Sequence, residues 1–140
     1  MKYLLDSSFV IDLLNEIADD EAGPALVWLH ANSRARLWIS PITLSEVLEG
    51  ADNPAAVQAY LSRYSWQGIH RAQAEAAASM QRKSGSRMGE NDAWQAAIAH
   101  CMKSSVLGHD KAFARLGKGY EDFYTDAVTL PKRRAVLQRG

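Results

Sequence analysis

Four carboxylates stand where a carboxylate can do chemistry. Asp6 ends the apolar run Tyr3-Leu4-Leu5 of the opening "KYLLDSSFV". Glu46 falls early in "SPITLSEVLEG", after the strand-like "RLWIS". Asp92 belongs to the first turn of "ENDAWQAAIAH", and Asp110 follows "SSVLG" after a single histidine. Grouped acids repel: at about 5 Å and an effective dielectric of about 20, each ionised pair costs roughly 3 kcal/mol. Four together need a cation or proton uptake. An all-oxygen set suits a hard divalent ion, Mg²⁺ or Mn²⁺. Beside a phosphodiester, such an ion binds the phosphate oxygens, lowers the pKa of a water and steadies the leaving oxygen. The chain has no Cys/His zinc spacing, no Gly-rich phosphate loop and no G-x-S-x-G elbow.

The elements around these acids alternate. Tyr3 to Leu5 read as a short buried strand, and Ser7 or Ser8 as the cap of a helix carrying Val10, Leu13, Leu14 and Ile17. "EAGPALVWLHAN" reads as a second helix and "RLWIS" as a strand. Ser40-Pro41 opens a helix through about Glu49, and a further helix follows Pro54. "SWQGI" is a strand candidate, "HRAQAEAAASMQRKS" a helix by propensity, and "MGENDAWQAAIAHCMKS" a helix by its Trp94, Ala97, Ile98, Cys101, Met102 stripe. "SSVLG" is a strand, "HDKAFARL" a short helix and "DAVTL" a last strand. Such alternation predicts an α/β domain with a mainly parallel central sheet flanked by helices. In that architecture sites form at the carboxyl ends of the strands. Asp6 and Asp110 lie just beyond strand ends, and helices following or leading into parallel strands start at the same edge, so Glu46 and Asp92 belong there too. All four acids are expected on one rim.

Each acid also has a plainer reading. Asp6 can be a turn residue and Asp110 an N-cap. Thr43-Leu44-Ser45-Glu46 matches a capping box, and Asp92 favours a helix dipole. Independent caps, however, have no reason to converge. Ser7, Ser8 and Asn91 are candidates to support the acids through hydrogen bonds. Arg82, Lys83 and Arg87 precede the Asp92 helix, while Lys111, Arg115 and Lys118 flank Asp110; both groups are candidate phosphate contacts. Trp28, Trp38, Trp66 and Trp94 fall in apolar patterns and are expected in the core, and His109 is notable for its neighbour Asp110.

A chain of 140 residues, 47% hydrophobic and 23% charged, has the balance of one globular domain. Asp6 and Asp12 interrupt any secretory signal, and no stretch approaches a membrane span, so a soluble cytoplasmic protein is expected. The lone Cys101 excludes an internal disulfide. Sixteen basic and sixteen acidic residues cancel, which argues mildly against a nucleic-acid partner but leaves room for a basic patch beside an acidic pocket. The tail "KRRAVLQRG", residues 132–140, is basic and expected to be partly mobile.

"LLDSSFVIDLL", "ISPITLSEVLEG", "MGENDAWQAAIAH" and "VLGHDKAF" resemble the four acidic segments of PIN-domain ribonucleases, in order and at the expected spacing over nearly the whole chain. Among these the chain is most similar to the VapC-type toxins of toxin–antitoxin pairs. The resemblance implies a three-layer PIN-like domain over residues 1–140, with Asp6, Glu46, Asp92 and Asp110 as the metal-binding catalytic acids. It further implies an endoribonuclease that hydrolyses RNA with a magnesium-activated water, with manganese as a substitute. The cognate antitoxin and the homodimer are also implied by resemblance alone. Three positions depart from the family. Ser7-Ser8 stand for a frequent Thr-Asn, Gly108-His109 for Thr-Arg or Thr-Asn, and Gly68-Ile69-His70 lack an acid many members carry. The competing expectations are an inactive PIN-like scaffold that binds RNA or protein, and an aspartyl phosphatase. The latter wants an acid where Ser8 stands.

Overall fold

The first strand, β1 (Lys2–Leu5), is buried along Tyr3, Leu4 and Leu5 and takes the centre of a sheet. The computed structural model describes residues 1–125. Five parallel strands run in the order β3-β2-β1-β4-β5, where β2 is Arg36–Ile39, β3 Ser65–Trp66, β4 Ser105–Gly108 and β5 Tyr120–Asp122. Parallel neighbours need crossovers, and helices supply them. These are α1 (Ser7–Ala18), α2 (Pro24–Ala31), α3 (Pro41–Glu49), α4 (Pro54–Leu61), α5 (Arg71–Lys83) and α6 (Glu90–Met102), with a 3-10 helix over Lys111–Gly119 before β5. The predicted α/β class, a parallel sheet between helical layers, is what forms.

Alternate side chains of each strand serve opposite layers. Tyr3, Leu5 and Leu107 pack with Phe9, Leu13, Trp28 and Phe123 on the α1–α2 side. Leu4 and Val106 pack with Ala96, Ile98, Met102 and Phe113 on the α6 side, and α5 lies against α6. No helix among the described residues is long and apolar enough to cross a membrane.

Several details differ from expectation. The cap of α1 is Asp6 itself, whose side chain accepts the Ser8 N–H. An extended Asp6 can do this, and a serine already inside the first turn cannot. The Thr43–Glu46 capping box does not form, because Ser40 caps α3 and the Thr43 hydroxyl donates to the Leu5 carbonyl at 2.6 Å. The last strand expected over 126–130 lies outside the described residues, as does the tail 132–140. Among the described residues the fifth strand is the polar Tyr120–Asp122, which the sequence did not announce. Trp28 is core, but Trp66 is 51% exposed on the edge strand, and Cys101 turns outward.

Candidate active site

The sheet's carboxyl edge receives all four predicted acids. Asp6 leaves β1 with its N–H still bonded to the Leu107 carbonyl at 2.9 Å, so the first residue past the strand is held in the ladder's register. It is only 4% exposed. Its Oδ2 accepts the Ser8 hydroxyl at 2.7 Å and the Ser8 N–H at 3.2 Å. The same Ser8 Oγ accepts the His109 N–H at 2.9 Å, which stitches the start of α1 to the end of β4. Gly108 permits this stitch: a Cβ there would lie 2.9 Å from both the Asp6 Cβ and the Ser8 Oγ. The hydroxyl that the resemblance leads one to expect at residue 108 is absent, and the Ser8 hydroxyl stands beside Gly108 instead.

Asp110 caps the 3-10 helix through the Ala112 N–H at 2.9 Å, and the Tyr120 hydroxyl accepts the Asp110 N–H at 3.1 Å. Its plainer reading as an N-cap therefore holds alongside its place on the edge. Asp92 lies half-buried in the first turn of α6, and Glu46 half-buried on α3. Asn91 reaches from α6 to Glu46 Oε2 at 3.3 Å. Beneath them runs a buried polar chain. Ser40 Oγ donates to Gln95 Oε1 at 2.5 Å, Gln95 Nε2 donates to Thr43 Oγ1 at 2.7 Å, and the Thr43 hydroxyl donates to the Leu5 carbonyl. That chain locks α3, α6 and β1 together, and so sets where Glu46, Asp92 and Asp6 emerge. Sequence reading missed Gln95; its signal was a polar residue in the otherwise apolar "AWQAAIA".

The carboxylates feel one another. Burial, then the charges of Asp110, Asp6 and Glu46 in that order, push Asp92 from 3.8 up to about 6. Burial also raises Asp6; the two Ser8 bonds oppose this and the Glu46 charge adds to it. Each acid thus comes from a different element, and the other three lie within electrostatic range of Asp92. They do not close into a ready cluster: among the described residues no three His, Cys, Asp or Glu side chains stand near enough to hold a metal as they are. Like charges hold themselves apart without a counter-ion. The donor set nonetheless fits a hard divalent cation, being all oxygen and destabilised by its own charge.

Outside the acids, His109 Nδ1 lies 3.0 Å from both Asp122 carboxylate oxygens, and its ring stacks on Tyr124 at 3.7 Å. Among the predicted phosphate contacts, Arg82, Lys83, Arg87 and Lys111 are exposed, and Arg87 meets Glu90 at 3.7 Å. Arg115 donates to Ser84 Oγ at 2.8 Å and to the Ser86 carbonyl at 2.6 Å, tying the 3-10 helix to the loop before α6. Ser7 enters α1 at its first position.

The family model of the PIN domain matches residues 3–119, from the first strand through the last of the four acids. The chain belongs to the PIN domain family. Solved structures share this PIN fold at low identity. VapBC-1 from nontypeable Haemophilus influenzae matches with a TM-score of 0.68 and 22% identity, covering 88% of this chain and 98% of that one. VapBC2 from Rickettsia felis, bound to a DNA fragment from its promoter, gives 0.68 and 19%, covering 86% and 98%. A toxin–antitoxin complex from Klebsiella pneumoniae gives 0.66 and 20%, covering 87% and 98%. No curated protein matches the sequence.

Proposed function

We propose that this PIN domain is a metal-dependent endoribonuclease of the VapC type, the toxin of a cytoplasmic toxin–antitoxin pair. The observation that supports it best is the arrival of acids from four elements at one sheet edge, near enough that Asp110, Asp6 and Glu46 together raise Asp92. Asp6, Glu46, Asp92 and Asp110 would hold Mg²⁺, with Mn²⁺ as a substitute. When bound, the ion would neutralise the phosphate and acidify the attacking water. The chain's own residues set the stage. Ser8 fixes the direction of the Asp6 carboxylate, and Asn91 steadies Glu46. Gln95 and Thr43 keep the two helices at a constant spacing over β1. Without a cation, Asp92 is the group that takes up a proton near neutrality. Arg82, Lys83, Arg87, Lys111 and Arg115 would meet the RNA backbone. The solved VapBC complexes support an antitoxin as partner, and a homodimer is part of the same reading.

Purified protein is expected to cut RNA with Mg²⁺ or Mn²⁺ and to stop on adding EDTA. Asp6→Asn or Asp92→Asn should abolish cutting while the far-UV spectrum stays that of the wild type. Normal cleavage by either variant would overturn the assignment. Expression alone should arrest growth, and co-expression of a small neighbouring gene product should relieve it. A second reading, a PIN scaffold that binds RNA or protein without cutting, draws on the carboxylates' failure to converge. RNA binding with no metal-dependent cleavage over many substrates would decide for it.

A further inference from the structure

A groove of about 380 Å³ lies between α5 and α6, floored by alanines of α5 and by Ala93. Trp94, half-buried, forms one wall, and Arg82, Arg87 and Glu90 stand at its mouth. The loop between the helices is pinned. Gln81 donates to the Met88 carbonyl at 2.9 Å and accepts its N–H at 3.0 Å, while Arg115 holds Ser84 and Ser86. Arg87 is therefore carried on a fixed loop. Its contact with Glu90 is long and both side chains are largely exposed, so the guanidinium is open to a stronger anion.

Glu90, Ala93 and Trp94 of the groove share the first turns of α6 with Asp92. Trp94 is one helical turn beyond Asn91, the residue that touches Glu46. An indole wall with cations at the mouth, next to a phosphodiester-cutting edge, matches how proteins hold single-stranded nucleic acid. Charge favours the same occupant: Arg82, Lys83 and Arg87 gather here in a chain of zero net charge whose adjacent rim is acidic. A second copy of the chain is disfavoured, because the large exposed apolar side chains among the described residues, Met1, Ile11, Ile17, Trp66 and Tyr124, all lie elsewhere.

We propose that the α5–α6 groove is a nucleotide subsite for the single-stranded RNA flanking the cut bond, with a base on the Trp94 indole and phosphates on Arg82 and Arg87. The proposal rests on the endoribonuclease reading. It replaces the expectation that Trp94 is a core side chain only.

The test is anisotropy of a fluorescein-labelled single-stranded RNA titrated with the full chain in EDTA, at several salt concentrations. Trp94→Leu should weaken binding about tenfold, and Trp94→Phe should restore most of it. Removing Arg82 or Arg87 should lower the slope of log affinity against log salt by about 0.7 each. The arginine variants lie on the surface and keep the test decisive if Trp94→Leu unfolds. Wild-type affinity and salt slope in all variants, alongside intact metal-dependent cleavage, would overturn the subsite and leave the nuclease standing. So would variants that change the elution volume on size exclusion but bind RNA as before, since the groove would then be a self-contact. RNA that neither binds nor is cut by the wild type would remove both.

Discussion

Asp92 carries the clearest consequence at the scale of single residues. Its pKa is raised from 3.8 to about 6, so between those values the folded chain holds more protons than the unfolded one. Stability must then fall as pH rises through that window. Asp6, raised mainly by burial, acts in the same direction. Thermal midpoints in EDTA are expected to decline from about pH 4 to about pH 6, and Asp92→Asn should flatten the decline. An identical slope in the variant would mean Asp92 is not strained by its neighbours. Gly108 makes a second prediction. A methyl there meets the Asp6 Cβ and the Ser8 Oγ at 2.9 Å, and neither can retreat without loosening the stitch between β4 and α1. Gly108→Ala should cost about 1–3 kcal/mol in urea unfolding. Gly50→Ala, with nothing within 4 Å of the added carbon, should cost little. The edge placement of Asp6, Asp92 and Asp110 was legible because each neighbours a strand end or helix start, and that of Glu46 because its helix starts from the same edge. Supports beyond Ser8 and Asn91 were not: Gln95, Tyr120 and the Ser8–His109 bond join residues far apart in the chain, and no local pattern announces them.

Among the elements, α2 shows how a cap can come from outside its own sequence. Gly23 precedes it and offers no side chain, so the first N–H groups need another acceptor. Glu16 of α1 supplies it, accepting from Gly23 at 2.7 Å, Leu26 at 2.9 Å and Ala25 at 3.0 Å. A carboxylate at a helix N-terminus also meets a favourable dipole. Glu16→Ala should therefore destabilise the domain by about 1–3 kcal/mol, read by urea unfolding. The same change should loosen Trp28, whose indole N–H bonds Glu121 at 2.5 Å, and a red shift of tryptophan emission would report it. Wild-type unfolding in this variant would show that water caps the helix equally well. Glu121 also explains why β5 was illegible. Tyr120–Asp122 is short and polar, and its pairing with β4 is sustained by tertiary bonds from Trp28 and the Tyr3 hydroxyl rather than by an apolar run. The longer strands and α6 were legible because their periodicity is their own.

For the molecule as a whole, the parallel sheet works against charge balance. Sixteen acids and sixteen bases cancel over the chain, yet crossover topology delivers Asp6, Glu46, Asp92 and Asp110 to one edge. Folding brings the acids to one edge, and the raised Asp92 marks the resistance to doing so. A cation that binds only the folded edge removes that resistance, so magnesium should act as a stabiliser of the fold. The gain follows mass action and reaches about 2.7 kcal/mol at a hundredfold excess over its dissociation constant. Melting the full chain across a magnesium titration at neutral pH, with ionic strength matched by KCl, should show a rising midpoint. Asp92→Asn should blunt the rise even though it begins from a higher midpoint in EDTA, because it removes one ligand and one repulsion together. Magnesium should also abolish the pH-dependent difference between the two proteins, since a coordinated carboxylate no longer takes up a proton near pH 6. A midpoint that rises equally with KCl would mean that the edge merely responds to screening. The metal-binding role of the four acids would then fall, although the fold that gathers them would not.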